Sequence, residues 1–312
     1  MHSERRRPTG SNAIMAADAR VVQGTGVRSP ARTFTSESFC RLGCQTAVMA
    51  DFTDEDLSGS TFTRVDLTGA QFEQVELRDA FLRNVYLNGA RLRGAWLEDV
   101  DVDGEIRSLR VNGVDVGPLV EAELDRRYPE RQLLRPRTAD GFRRAWAAVC
   151  AGWEPTIERA RQLPEDALHE RVDHEWSFLE TLRHLVFCVD AWLLRAVLGE
   201  QSPYWAAGVQ HDEMGQDTPV PIDPDADPDL EEVLAVRAGR HARVNDFLMA
   251  LTDEQLAGTT TPVGTPGYPP DVAYPVARCL GAVVREVFLH RTFAERDLAV
   301  LEAHAAKDTA AP

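Results

Sequence analysis

Near the C-terminus the stretch REVFLHRTFAERDLAVLE, residues 285–302, places Glu286 and His290 four residues apart. On a helix that spacing makes them neighbours on one face. A carboxylate beside an imidazole can be a surface pair, or it can supply two donors of a divalent-metal site. The spacing fits both. The helix that must carry them has its own apolar stripe, Leu280, Val283, Val287, Ala294, Leu298 and Leu301, so one face is expected to pack on a core whatever the polar pair does.

Helical texture extends well upstream of this stretch. Four long segments are expected, roughly 139–163, 176–198, 229–251 and 273–303. Pro164 follows the first, and Gly199 and Pro203 follow the second; TPVPIDPDADPDL precedes the third and GTTTPVGTPGYPPD the fourth. Such an order suggests an up-down four-helix bundle over residues 139–304. In the second segment the apolar stripe runs through Leu179, Leu182, Val186, Val189 and Leu193. His184 lies on another face, with Ser177, Glu180, Cys188 and Ala191. A face of that kind lines a cleft or looks outward, and periodicity does not choose between the two.

EWSFLETLRHLVFCVDAWLLRAVLG and the 285–302 stretch resemble the DinB-type superfamily of bundle proteins over about residues 139–303. The resemblance implies one divalent metal held by a histidine on helix two and two histidines four apart on helix four. Carried over, these positions are His184, Glu286 and His290, with Glu286 standing where the family has histidine. The departure means either a two-histidine, one-carboxylate site or a site that has lost its metal. Imidazole and carboxylate together suit zinc first, and also nickel, iron or manganese. Around this set, Glu180 is a candidate to orient the His184 imidazole, against the alternative of a solvated glutamate. His211, in the loop GVQHDEMGQD, is a candidate to touch substrate, against plain exposure. Asp297 continues the Glu286–His290 face, against an ion pair with an arginine. Asp173, just before His174, could cap helix two. Cys188 reads as a core thiol, since nothing near it in sequence would lower its pKa.

Upstream, a different period rules. From Ala50 onward Phe52, Leu57, Phe62, Leu67, Phe72, Leu77, Leu82, Leu87, Leu92, Leu97 and Val102 recur every five residues. A mostly small apolar residue stands two positions before each, with Glu55 the discordant member. Neither a helix nor a strand has a period of five. The pattern, as in GARLRGAWLEDV, resembles the pentapeptide-repeat family over about residues 50–103. That resemblance implies a right-handed quadrilateral β-helix with both apolar positions pointing inward. A solenoid of this kind buries its inner face only by stacking coil on coil, and its ends need caps. GEIRSLRVNGVDVGPLV, with its Asn112-Gly113 turn signal, is expected to form a strand or hairpin closing a module of residues 49–117. So short a solenoid reads as a structural or interaction module rather than a DNA-mimicking rod. Residues 118–138 read as a linker with one short helix at its start.

Residues 1–48 are rich in Arg, Ser, Thr and Gly without hydrophobic periodicity, and are expected to be a disordered extension, with a true start near Met49 as the sharper alternative. A second disordered tail is expected at 305–312. The formal charge of −16, from 34 basic and 50 acidic residues, argues against nucleic-acid or anionic-membrane partners. Lys307 is the single lysine, a bias typical of high-GC bacterial genomes. The five scattered cysteines fit reduced thiols in the cytoplasm. Characterised members of the DinB-type superfamily include thiol-dependent transferases, so the resemblance implies an enzyme that joins a small thiol, mycothiol in a high-GC bacterium, to a small electrophile, or a metal-assisted hydrolase. The alternative is a non-catalytic scaffold that docks or homodimerises through the solenoid.

Overall fold

A computed structural model describes residues 33–34, 51–104, 106–211, 214 and 218–310. The expected extension 1–48 lies outside the described residues except for Thr33–Phe34, and the expected tail lies outside them at 311–312. The chain divides into two compact units, one ending at Glu98 and the other beginning at Asp99.

In the first unit the five-residue period is written into the backbone. Asp54, Gly59, Arg64, Gly69, Gln74, Asp79, Asn84, Gly89 and Gly94 all take positive φ, and the series continues through Asp99 and Gly104. Most of these corner positions hold Gly, Asp or Asn, the residues that enter the left-handed region at least cost. Alternate corners are closed by backbone bonds, Ser60 N–H to the Leu57 carbonyl at 3.0 Å and Ala70 N–H to Leu67 at 2.9 Å. The same bond recurs ten residues on at Ala80 and again at Ala90. Ladder pairing is sparse: among the described residues the unit has β1 (Thr33–Phe34) parallel to β2 (Thr61–Phe62). The expectation of an inward large register is corrected. Phe62 is 47% exposed and Leu92 is 69% exposed, and most of the register behaves alike.

The second unit begins with a hairpin at the Asn112-Gly113 signal, β3 (Arg110–Val111) antiparallel to β4 (Val114–Asp115). Both turn residues have positive φ, as a two-residue hairpin loop requires. The short helix expected at the start of residues 118–138 is present. α1 (Gly117–Arg127) runs into a 3₁₀ turn at Pro129–Leu133. Arg131 ties the two together, reaching Asp125 at 2.7 Å and Glu121 at 3.0 Å. Tyr128 lies edge-on to Phe288 at 5.7 Å, and Glu130 pairs with the buried Arg291, so this segment packs on the last helix.

The four long helices follow, with two one-turn helices between them. They are α2 (Ala139–Ala160), α3 (Glu165–Leu168), α4 (Phe178–Val189), α5 (Leu230–Ala250), α6 (Asp253–Leu256) and α7 (Val276–Ala310). Side-chain caps start them: Thr138 accepts from Gly141 N, Ser177 from Glu180 N, and Asp229 from Glu232 N. The α4 start is a full capping box of Ser177 and Glu180, so Ser177 fills the role expected of Asp173. α4 packs against both α5 and α7, and α2 against α7 and α5, around one apolar core. The expected stripe of α7, from Leu280 to Leu301, is buried. α7 also runs on to Ala310, past the point where a tail was expected. Among the described residues no helix is long and apolar enough to cross a membrane.

Candidate metal centre

α4 is buried on nearly all sides. The face that periodicity left open, Ser177, His184, Cys188 and Ala191, points inward; His184 and Ala191 have no solvent exposure. The reason is tertiary. The chain leaving α4 folds back over that face and is fastened there by Arg183, whose Nε donates to the Ala207 carbonyl at 2.6 Å. Past Val189 the helix widens into a π turn, Asp190–Arg195. The fully buried Asp190 accepts from Trp205 N–H at 2.9 Å and pairs with Arg240 of α5. Burial raises the Asp190 pKa in spite of that arginine. Tyr204 donates its hydroxyl to the Tyr268 carbonyl at 2.5 Å, joining the loop after α4 to the loop before α7. Gly267 lets the second loop press on Arg195, since a Cβ there would come within 2.7 Å of the guanidinium carbon.

The loop thereby delivers the Val209 carbonyl to 3.0 Å from Nδ1 of His184. A carbonyl only accepts, so Nδ1 carries a proton, and Nε2 is the ring nitrogen turned toward the neighbouring helices. Nε2 faces two groups: Sγ of Cys188, one turn along α4, at 3.2 Å, and Oε2 of Glu286, on α7, at 3.9 Å. Among the described residues, His184, Cys188 and Glu286 form a group whose donor atoms all lie within 4.8 Å of one another. His290 stands beside them. Its ring stacks on that of His184 at 4.8 Å, and its Nδ1 is 3.5 Å from Oε2 of Glu286. That nitrogen is also 3.2 Å from the backbone carbonyl of Glu286. Trp176, just ahead of the Ser177 cap, covers both imidazoles at 4.4 and 5.7 Å.

The electrostatics follow from burial. Burial pushes the Glu286 carboxyl up, but the hydrogen bond with His184 and the nearby charge of Arg285 outweigh it and bring it to about 2. Burial, with His184 adding to it, pulls His290 down to about 3, so its ring is neutral at pH 7. Burial raises the Cys188 thiol well above its ordinary value, and the Glu286 charge adds to that. A cavity of about 110 Å³ opens on this cluster, lined by His184, Cys188, His211, Phe187, Tyr268 and Glu286, with Arg285 at its edge.

The candidates thus separate. His184, Glu286 and His290 are brought together, and His211 joins them from the loop, its ring 5.9 Å from that of His184. Glu180 does not orient His184; its carboxylate is committed to Ser177 N–H at 2.9 Å and to Arg171, and the Val209 carbonyl has the role instead. Asp297 accepts from its neighbour Arg296 at 2.7 Å. The residues missed from sequence are Trp176, Val209, Tyr268 and Cys188 as a member of the cluster. Of these only Cys188 carried a legible signal, lying four residues after His184 on the same face.

Comparison with known families agrees with this division. The DinB superfamily profile matches residues 149–294. The pentapeptide repeats profile matches eight copies across residues 50–79 and 66–104. No curated protein matches the chain, and no solved structure does.

Proposed function

The chain joins pentapeptide repeats to a DinB superfamily domain, and from that premise we propose that its bundle is a divalent-metal centre serving thiol-dependent transfer to a small electrophile. Metal-assisted hydrolysis is the close variant. One observation carries the reading: Nε2 of His184 faces the largely buried Glu286 carboxylate at 3.9 Å. A ring nitrogen and a carboxylate placed together away from water are stabilised by a shared cation. The donors fit zinc best and admit nickel, iron or manganese. His184, Glu286 and His290 would hold the ion, whose chemistry is that of a Lewis acid, favouring the ionised form of a thiol or water.

The rest of the work falls to the chain. The Val209 carbonyl sets the His184 tautomer, and Trp176 shields the two imidazoles. Phe187, Tyr268 and His211 border the space for a substrate, with the Arg285 guanidinium available to an anionic group of a small thiol such as mycothiol. The supporting frame is an up-down four-helix bundle; in the repeats, the corner at every fifth residue supports coils of a right-handed quadrilateral β-helix. The test is metal analysis of the purified protein beside His184→Ala and His290→Ala, with thiol consumption measured against an electrophile. Bound metal that falls in the variants is expected. Equal metal in all three, or none in folded wild type, overturns the reading.

The exposed Phe and Leu register of the repeats favours a second reading, in which that module docks a partner or a second copy and the bundle is a scaffold. Assembly that depends on residues 50–117, in a protein that holds no metal, is the outcome it expects.

A further inference from the structure

We propose that Cys188 is itself a ligand of this ion, as a thiolate that joins the imidazole and carboxylate donors; the proposal rests on the metal reading above. Sγ of Cys188 lies 3.2 Å from Nε2 of His184, and both converge with Glu286 within 4.8 Å. Tetrahedral donors at zinc distances stand roughly 3.3–3.8 Å apart, so the three atoms need to move little to share one ion.

His290 is placed differently. Its Nδ1 lies against the carbonyl of Glu286 in its own helix at 3.2 Å, which leaves Nε2 as its ligand atom, and His290 stands outside the convergent group. The thiol lies within that group. It is 3% exposed, and its near polar neighbour is Nε2 of His184. Cys150 and Cys279, the other described thiols, have no place in the group.

Charge supports the same set. A dication held by Glu286 alone leaves a net positive charge in a buried site, and a second anion removes it. On binding, the Sγ–H bond breaks, its electron pair goes to the ion and the proton leaves to buffer. A thiolate also shifts preference toward zinc and away from manganese.

The test is cobalt loading of the full chain. A sulfur-to-cobalt charge-transfer band in the near ultraviolet is expected in wild type. Cys188→Ser should lose the band while keeping cobalt's weaker visible bands. Cobalt bound by wild type without the charge-transfer band, or a band unchanged in Cys188→Ser, overturns the thiolate and leaves the metal reading standing. Folded wild type that takes up no cobalt overturns both. X-ray absorption of zinc-loaded wild type needs no variant: a sulfur neighbour at about 2.3 Å is expected, and a shell of nitrogen and oxygen only would overturn the proposal.

Discussion

The carbonyl of Val209 lies 3.0 Å from Nδ1 of His184, and this single contact decides which nitrogen of the imidazole looks into the bundle. With Nδ1 protonated, Nε2 is left to meet Glu286 from α7. The relationship joins a loop to two helices that are about a hundred residues apart in sequence. It turns the Nε2 edge of a buried histidine toward a carboxylate on another helix.

Glu286→Gln keeps the shape of that arrangement and removes its charge. Loss of a partner outside the ligand set typically costs roughly 10–100-fold in metal affinity, so loss of the carboxylate itself is expected to exceed that. Titration of zinc against a competing chelator measures it. Glu286→His, which restores the residue of the DinB-type resemblance, is expected to keep binding, and unaltered binding in Glu286→Gln would show that the carboxylate is a bystander.

Arg240→Ala is expected to destabilise the bundle by about 3 kcal/mol, because it strands the carboxylate of Asp190 with no exposure to water. The same carboxylate holds Trp205 N–H, so the loop carrying Val209 should loosen as well. Urea unfolding gives the first effect. Amide exchange in the 204–211 loop gives the second, which a merely local loss would not produce.

Acidification should destabilise the bundle through histidines kept neutral. Burial, with the charge of Arg237 adding to it, lowers the His241 pKa to about 3. Its ring meets Trp146 edge-on at 4.9 Å and its Nδ1 lies 3.7 Å from Sγ of Cys150. An unfolded histidine titrates near 6.5. Between those values the unfolded chain binds the extra proton, so stability is complete above about pH 6.5 and falls as pH drops toward 3. The slope is at most about 1.4 kcal/mol per pH unit for one such group. Urea midpoints at pH 7, 6 and 5 should fall steadily in wild type and less steeply in His241→Gln; parallel lines would refute the role of His241.

Much of the helical frame was legible because its signals are local. Proline and glycine breaks bounded the four long helices, and the 280–301 stripe named the buried face of α7. The Asn112-Gly113 pair named a hairpin. In residues 118–138 the short helix was legible, but the contacts of Tyr128 and Glu130 with α7 were not, because they are tertiary.

What the sequence by itself determined is the division into a five-residue repeat and a helical half, and the spacing that sets Glu286 beside His290. Those follow from periodicity, which every residue reports through its nearest neighbours in the chain. Only the tertiary structure decided that the His184 face is an interior one, that a loop carbonyl orients the ring, and that Cys188 rather than Glu180 stands next to it. Each of these depends on a segment distant in sequence closing over α4, and helical period has no term for what lies opposite a face.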